Sequence, residues 1–159
     1  MLLCDHAQVA GKLFVSGASI DSFAFQPGDP GPYAISFAIA GVVHVPYTET
    51  NVEHSLRFSV VDADGKTPDL GGGAQAGPEG IGGEMRFNVG RPPTLPHGDE
   101  QLVPFAFQIL GLPMAEPGRY TVRLLIDGAP VKSIPFRLAR PQAAQSFGPA
   151  HPGPIGGGG

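Results

Sequence analysis

The sequence predicts an all-β fold, an immunoglobulin-like two-layer antiparallel β-sandwich of seven to nine strands. Short runs in which apolar and polar residues alternate recur along the 159-residue chain, as in strands that bury one face. Glycine and proline, with 24 and 18 residues, fall between these runs, where turns are expected. No stretch has a convincing helical period, so a second sheet must cover the apolar faces.

The N-terminal half of the chain divides into strands separated by turn-forming residues. Ala10-Gly11 and the turn Asp62-Ala63-Asp64-Gly65 separate strands, and the Gly/Pro-rich segment 26–32 is a rigid loop that no strand interior would accept. Gly17 is expected to bend the second strand without ending it. The predicted strands are 1–9, 12–16 with a continuation over 18–25, 33–45 and 53–62.

The C-terminal half is dominated by a β-hairpin over residues 117–138. Tyr120, Val122 and Leu124 alternate with polar residues, and Asp127-Gly128 is a dipeptide that tolerates the positive φ of a tight turn. Two further strands are predicted, at 84–89 and 101–110. The proline at position 104 places the second of these at a sheet edge or at a bulge.

Composition divides the chain into one domain and a tail. We assign residues 1–139 to the sandwich, with a flexible Gly-rich loop at 67–83. Residues 140–159 have no periodicity and are expected to be a disordered Gly/Pro-rich tail.

Charge, apolar run length and cysteine content argue against nucleic-acid binding, a membrane span and an oxidising compartment. The net charge is −4 and only 15% of residues are charged, so we expect no nucleic-acid binding by a basic surface. No apolar run approaches the length of a membrane span, which is about 18 residues or more. The single cysteine, Cys4, cannot form an intrachain disulfide, and the N-terminus does not resemble a signal peptide, so we expect a cytoplasmic protein.

Two residues stand out as structural or candidate site residues. Tyr120 follows Gly118-Arg119 at the start of its strand and resembles the tyrosine corner of immunoglobulin-like sandwiches, in which the phenol binds a nearby backbone group. Asp5 shares a strand face with Leu3 and Ala7, which would be the buried face. A buried carboxylate there would accept hydrogen bonds from backbone amides, and we favour this structural role over that of a general base.

Both ends of the domain resemble a known family. Leu3-Cys4-Asp5-His6-Ala7 followed by Gly11-Lys12-Leu13 is similar to the opening hairpin of a family of small, uncharacterised bacterial proteins. The segment Pro117–Pro135 is similar to the closing hairpin of the same family. The resemblance implies a β-sandwich in a soluble bacterial protein, and it implies no activity because that family has no assigned function.

Two candidate metal sites are weak. Cys4 and His6 share a strand face and could bind zinc together with His44 or His54, but structural zinc sites usually show two closely spaced ligand pairs. Residues 62–65 resemble the start of a calcium loop whose later ligands are missing, so a turn is the simpler interpretation. We therefore predict no metal, no cofactor and no catalytic residue.

Three functions remain open, and we favour a non-enzymatic binding or assembly module. A protein partner or a second copy would bind the small-residue face of the longest strand, made of Ala34, Ser36, Ala38 and Ala40. The alternative is a sandwich that binds a small ligand or a carbohydrate between loops 26–32 and 90–100. The least favoured is a hydrolase using Asp5, His6 and a nearby serine, because no motif unites a nucleophile, a base and oxyanion donors.

Overall fold

The computed structural model of this protein describes residues 1–25, 30–71 and 81–139. These residues form two sheets, which confirms the predicted all-β class, while the immunoglobulin-like likeness stays a prediction. A 3-10 helical turn lies at Tyr47–Glu49. The described strands are β1 (Leu2–Ala10), β2 (Lys12–Ala18), β3 (Ser22–Ala24), β4 (Tyr33–Pro46), β5 (Glu53–Val61), β6 (Ile81–Asn88), β7 (Glu100–Met114), β8 (Gly118–Ile126) and β9 (Ala129–Ala139).

The strands are divided into a four-stranded sheet, in the order β2-β1-β4-β7, and a five-stranded sheet, in the order β3-β9-β8-β5-β6. Every pairing is antiparallel except that of β3 with β9, which is parallel. The long pairing of β4 with β7 contains a bulge between Ile35 and Phe37. There Ser36 accepts a hydrogen bond from the Gly111 amide through its hydroxyl oxygen.

The core lies between the two sheets and follows the alternation expected from the sequence. Phe37 of β4 and Phe136 of β9 are buried from opposite sheets, with ring centroids 5.8 Å apart. Phe23 of β3 packs against both rings. The inward residues of β8, namely Tyr120, Val122 and Leu124, are buried as the hairpin pattern predicts.

The second strand does not continue to residue 25, contrary to the prediction. It ends at Ala18, and Ser19 takes a positive φ of 74° while its amide binds the Leu3 carbonyl at 3.0 Å. This reversal carries the chain to the other sheet, where β3 pairs with β9. The apolar residues after position 18 therefore serve the opposite layer of the sandwich.

The predicted flexible loop over 67–83 extends too far at its C-terminal end, and its N-terminal end is a loop that is held against the domain. Leu70 is buried, and the Asp69 carbonyl accepts a hydrogen bond from the Ala115 amide at 3.0 Å, so this segment is fixed to the domain. At the other end, β6 already begins at Ile81, three residues before the predicted strand. The rest of that loop, residues 72–80, and the predicted tail, 140–159, lie outside the described residues.

The β1–β2 hairpin leaves the sheet and folds over its outer face. Residues 2–4 of β1 pair with β4, but the later residues of β1 pair with β2 alone. Beyond Cys4, β1 crosses towards β7, where Gln108 donates a side-chain hydrogen bond to the Asp5 carbonyl at 3.4 Å. We call the projecting hairpin, residues 5–18, the arm.

Candidate binding surfaces

The small-residue face predicted as a partner surface is divided between solvent and the arm. Ala34 and Ser36 are exposed, whereas Ala38 and Ala40 are completely buried. The cover is the protein's own chain, because the buried pair packs with Cys4, Ala7, Leu2, Leu13 and Ala106. The small side chains thus allow close approach of a third layer, and half of the predicted partner face is unavailable to a partner.

Cys4 lies at the centre of this small cluster. Its side chain is fully buried, and its thiol lies 3.5 Å from the His6 carbonyl and 3.7 Å from the Ala38 carbonyl, both of which are acceptors. Burial raises the pKa of the Cys4 thiol, and the nearby Asp5 carboxylate acts in the same direction. The thiol is therefore held in its protonated, unreactive form.

Asp5 is exposed, so the expectation that it is a buried carboxylate is wrong. The burial of β1 does not alternate regularly here, because Cys4 and Ala7 are buried whereas Asp5 and His6 between them are exposed. Its carboxylate lies over Gly17, where φ is +64° and where an added Cβ would collide with the Asp5 side chain. The Asp5 side chain therefore occupies space that is free only because residue 17 of the facing strand is a glycine.

The far end of the arm exposes apolar side chains. Val9, Phe14 and Val15 are 45%, 52% and 37% exposed, respectively. Strand β2 is the outermost strand of its sheet, and apart from half-buried Leu13 its residues are all exposed. The arm therefore presents an apolar surface at one edge of the four-stranded sheet.

Tyr120 makes the hydrogen bond expected of a tyrosine corner. Its phenol donates to the Glu116 carbonyl at 2.6 Å, and its ring stacks on Phe136 with centroids 5.6 Å apart. Burial raises the pKa of the Tyr120 phenol, so the donor stays protonated. In the structure, Tyr120 therefore fixes the connection between β7 and β8.

We expect Tyr120→Phe to lower the free energy of unfolding by about 0.5–1.5 kcal/mol, because one partly buried hydrogen bond is lost while the ring packing remains. Urea denaturation measures this difference. Tyr47→Phe is the matched control, since the Tyr47 hydroxyl makes only a long, exposed contact of 3.3 Å with His97. Equal effects of the two substitutions would show that the corner hydrogen bond contributes nothing.

His54 is buried and forms an ion pair with the half-exposed Asp127, which the sequence did not reveal. The His54 ring is 6% exposed, and its Nδ1 lies 2.8 Å from Asp127 Oδ2 while its Nε2 lies 3.0 Å from the Glu49 carbonyl. Both neighbours are acceptors, so both ring nitrogens donate and the ring is an imidazolium. Asp127 Oδ1 also accepts from the Ser55 amide at 2.7 Å.

The electrostatics of this pair follow from its hydrogen bonds. The bond to Asp127 raises the pKa of His54, with a further contribution from the Glu49 carbonyl, and the bond from His54 lowers the pKa of Asp127. Asp127 sits at a φ of 50° in the β8–β9 turn. The pair therefore ties that turn to the start of β5.

Neither candidate metal site is assembled in the structure. The described residues contain no cluster of three His, Cys, Asp or Glu side chains that could hold a metal ion. Cys4 is buried under the arm and His54 is engaged by Asp127. In the 62–65 turn, Asp62 Oδ1 accepts hydrogen bonds from the amides of Asp64 and Lys66, each at 2.9 Å.

The residues of the hydrolase hypothesis do not converge. Asp5 and His6 are adjacent exposed residues of β1. His6 lies opposite Ser16 in the strand register, and both are exposed. Among the described residues, no hydrogen bond joins the side chains of these three residues.

A model of a family of unknown function, DUF6941, matches residues 1–139. A search of curated proteins and a search of solved structures found no match. Within the described ranges, no helix has the length and apolar character needed to cross a membrane. The match confirms the resemblance to an uncharacterised family, and its last residue ends β9.

Proposed function

The chain belongs to DUF6941, a family of unknown function, and we propose that its domain is a non-enzymatic assembly module that self-associates through the edge of β2. The observation that carries this proposal is an outermost strand that is exposed along nearly its whole length. An edge strand presents unpaired amide and carbonyl groups that can pair with another strand.

Strand β2 has few of the features that usually protect an edge strand from pairing with another strand. Natural sheets shield their edges with lysine, proline, bulges or a covering segment. Strand β2 has Lys12 at its first position and the bend at Gly17 near its end, and Leu13–Ser16 between them contains neither lysine nor proline. Four regular residues are therefore available for pairing.

The apolar residues of the arm fit a symmetric pairing of two copies. If Phe14 of each copy lies opposite Phe14 of the other, antiparallel β2 strands bring the two aromatic rings together on one face. The same register sets Leu13 beside Val15 of the second copy on the other face. Such a contact is self-complementary, as a two-fold dimer requires. It would also cover the 52% of Phe14 that is exposed.

Sedimentation velocity over a concentration series tests this proposal. We expect the wild-type protein to dimerise with increasing concentration and Phe14→Lys to remain monomeric, because a lysine on the edge opposes pairing. The matched control is Val131→Lys on β9, where the native valine is 50% exposed and far from the arm in the strand order. A wild-type protein that stays monomeric throughout, or a Phe14→Lys protein that still dimerises, would refute assembly through β2.

We also place this module in the cytoplasm. The single cysteine of the chain is a free, buried thiol, which suits a reducing compartment. The finding that would overturn this placement is recovery of the native protein in an extracellular or periplasmic fraction.

Small-ligand binding is a second candidate, favoured by one observation. The described residues form an open cavity of about 680 Å³ on the five-stranded sheet, a size typical of small-molecule sites. It does not lie between the loops proposed from the sequence, of which residues 26–29 are outside the described ranges. Three arginines line this cavity, which favours an anionic ligand.

A further inference from the structure

The outer face of the five-stranded sheet collects arginines in a chain that is acidic overall. Of the ten lysines and arginines in the sequence, five alternate outwards on this face. They are Arg57, Arg86, Arg119, Arg123 and Arg137. Arg86 is neutralised by Glu53 and Glu84, at 3.4 Å and 3.5 Å, so the uncompensated charge is concentrated around β8 and β9.

Two of these arginines lie directly opposite each other. The register of β8 and β9 pairs Arg119 with Arg137, which places their Cα atoms about 4.5–5.5 Å apart. Like charges at directly opposed positions destabilise a sheet. Among the described residues, neither guanidinium takes part in an ion pair or a side-chain hydrogen bond. Repulsion between the two guanidinium groups therefore destabilises the free protein, and a bound anion would remove this destabilisation.

Further hydrogen-bond donors surround the opposed pair. The parallel pairing of β3 with β9 places Ser22 beside Arg137 in the same row, and Thr121 follows Arg119 on the same face of β8. Arg123 extends towards the 62–65 turn, because its Nη2 would lie 3.1 Å from a Cβ added at Gly65. These residues all line the cavity of about 680 Å³, except Gly65, which lies in the turn beside it.

Two carboxylates at the rim are already engaged within the protein. Asp62 Oδ1 accepts hydrogen bonds from two backbone amides of its own turn. Asp21 Oδ1 accepts from the Ser22 hydroxyl at 2.9 Å, and the Asp21 carbonyl accepts from the Arg137 amide. With three guanidinium groups against two carboxylates in the lining, the cavity keeps a positive charge.

We propose that this cavity binds the phosphate group of a small phosphorylated molecule, held between Arg119, Arg137 and Arg123. The planar guanidinium donates two parallel hydrogen bonds to phosphate oxygens, and two opposed guanidiniums can bind one phosphate from both sides. The Thr121 hydroxyl adds a neutral donor, whereas the Ser22 hydroxyl already donates to Asp21. The cavity is larger than a phosphate alone needs, which favours an organic phosphate over the free ion.

Titration calorimetry of the full chain with phenyl phosphate and with inorganic phosphate, at constant ionic strength set by chloride, tests this proposal. We expect saturable binding of phenyl phosphate, at least as tight as that of inorganic phosphate. Arg137→Gln should weaken it by at least about tenfold, since a charge-assisted hydrogen-bond pair is lost. Arg86→Gln, the same change outside the cavity, should leave it unchanged.

Thermal denaturation without phosphate separates binding from folding. Arg137→Gln should be as stable as the wild-type protein or more stable, because the opposed charges are relieved, while phenyl phosphate no longer raises its melting temperature. The proposal is overturned if phenyl phosphate has no more effect than chloride, or if Arg137→Gln binds it as tightly as wild type. It is also overturned if Arg86→Gln weakens binding equally. These outcomes do not depend on whether the protein dimerises through β2.

Discussion

Phe136→Ala is expected to lower the free energy of unfolding by about 3–5 kcal/mol, since it removes a large aromatic side chain from a close-packed core. Phe136 is 2% exposed, and its ring lies 5.6 Å from the rings of Phe23 and Tyr120 and 5.8 Å from that of Phe37. These neighbours come from both sheets, so the cavity left by the substitution would lie where the layers meet. Urea denaturation followed by circular dichroism measures the loss.

The control for this prediction lies on the same strand. Val131 of β9 is 50% exposed, and Val131→Ala should change the free energy of unfolding by no more than about 0.5 kcal/mol. If the two substitutions destabilise the protein equally, Phe136 does not lie in the interface between the sheets, and the sandwich described above is wrong.

His54→Gln is expected to lower the free energy of unfolding by about 1.5–3 kcal/mol near pH 6, because the buried imidazolium loses its charge-assisted hydrogen bond to the half-exposed Asp127 carboxylate. The wild-type ring needs both N–H groups, one for Asp127 Oδ2 and one for the Glu49 carbonyl. A glutamine amide can donate, but it carries no charge to pair with the carboxylate. The β8–β9 turn would then lose its charged link to β5.

The pH dependence of this pair has a defined sign. The pKa of His54 is raised above its ordinary value of 6.5, so its stabilisation is complete below pH 6.5 and is lost as the pH rises through the folded-state pKa. The pKa of Asp127 is lowered below 3.8, so its stabilisation is complete above pH 3.8 and is lost as the pH falls through the folded-state pKa. The pair therefore stabilises the fold most between pH 3.8 and 6.5.

Urea titrations at about pH 6 and about pH 9 measure this dependence. The destabilisation caused by His54→Gln should be larger at the lower pH and should shrink at the higher. His44→Gln is the matched control, because His44 binds Glu100 at 2.7 Å but with a side chain that is 61% exposed. If His54→Gln has the same effect at both pH values, His54 is not an imidazolium in the folded protein.

Local patterns in the sequence were sufficient to predict the elements whose structure depends on residues close together in the chain. The hairpin over 117–138 is the best example, because the alternation of β8 and the Asp127-Gly128 dipeptide both act locally. Asp127 and Gly128 take φ values of 50° and 80°, as such a turn requires. The Tyr120 hydrogen bond spans only four residues and was likewise open to prediction.

Contacts between distant segments could not be predicted from local sequence patterns. Ala38 and Ala40 were correctly placed on a face of small residues, but the segment that covers them is 20 or more residues away, in the arm. His54 and Asp127 are 73 residues apart, and Arg119 faces Arg137 only because of the β8–β9 register. Alternation specifies which residues share a face but not which strand lies opposite, so these juxtapositions required the tertiary structure.

Hydrogen exchange of the β2 amides, measured over a range of protein concentrations, tests assembly through this edge most directly. The amides of Leu13–Ser16 that do not bond to β1 face solvent in a single copy and should exchange freely when the protein is dilute. We predict that they become protected as the concentration rises, while the amides at the centre of β8 do not change. If the β2 amides exchange at the same rate at every concentration, the edge stays open and the proposed assembly is contradicted.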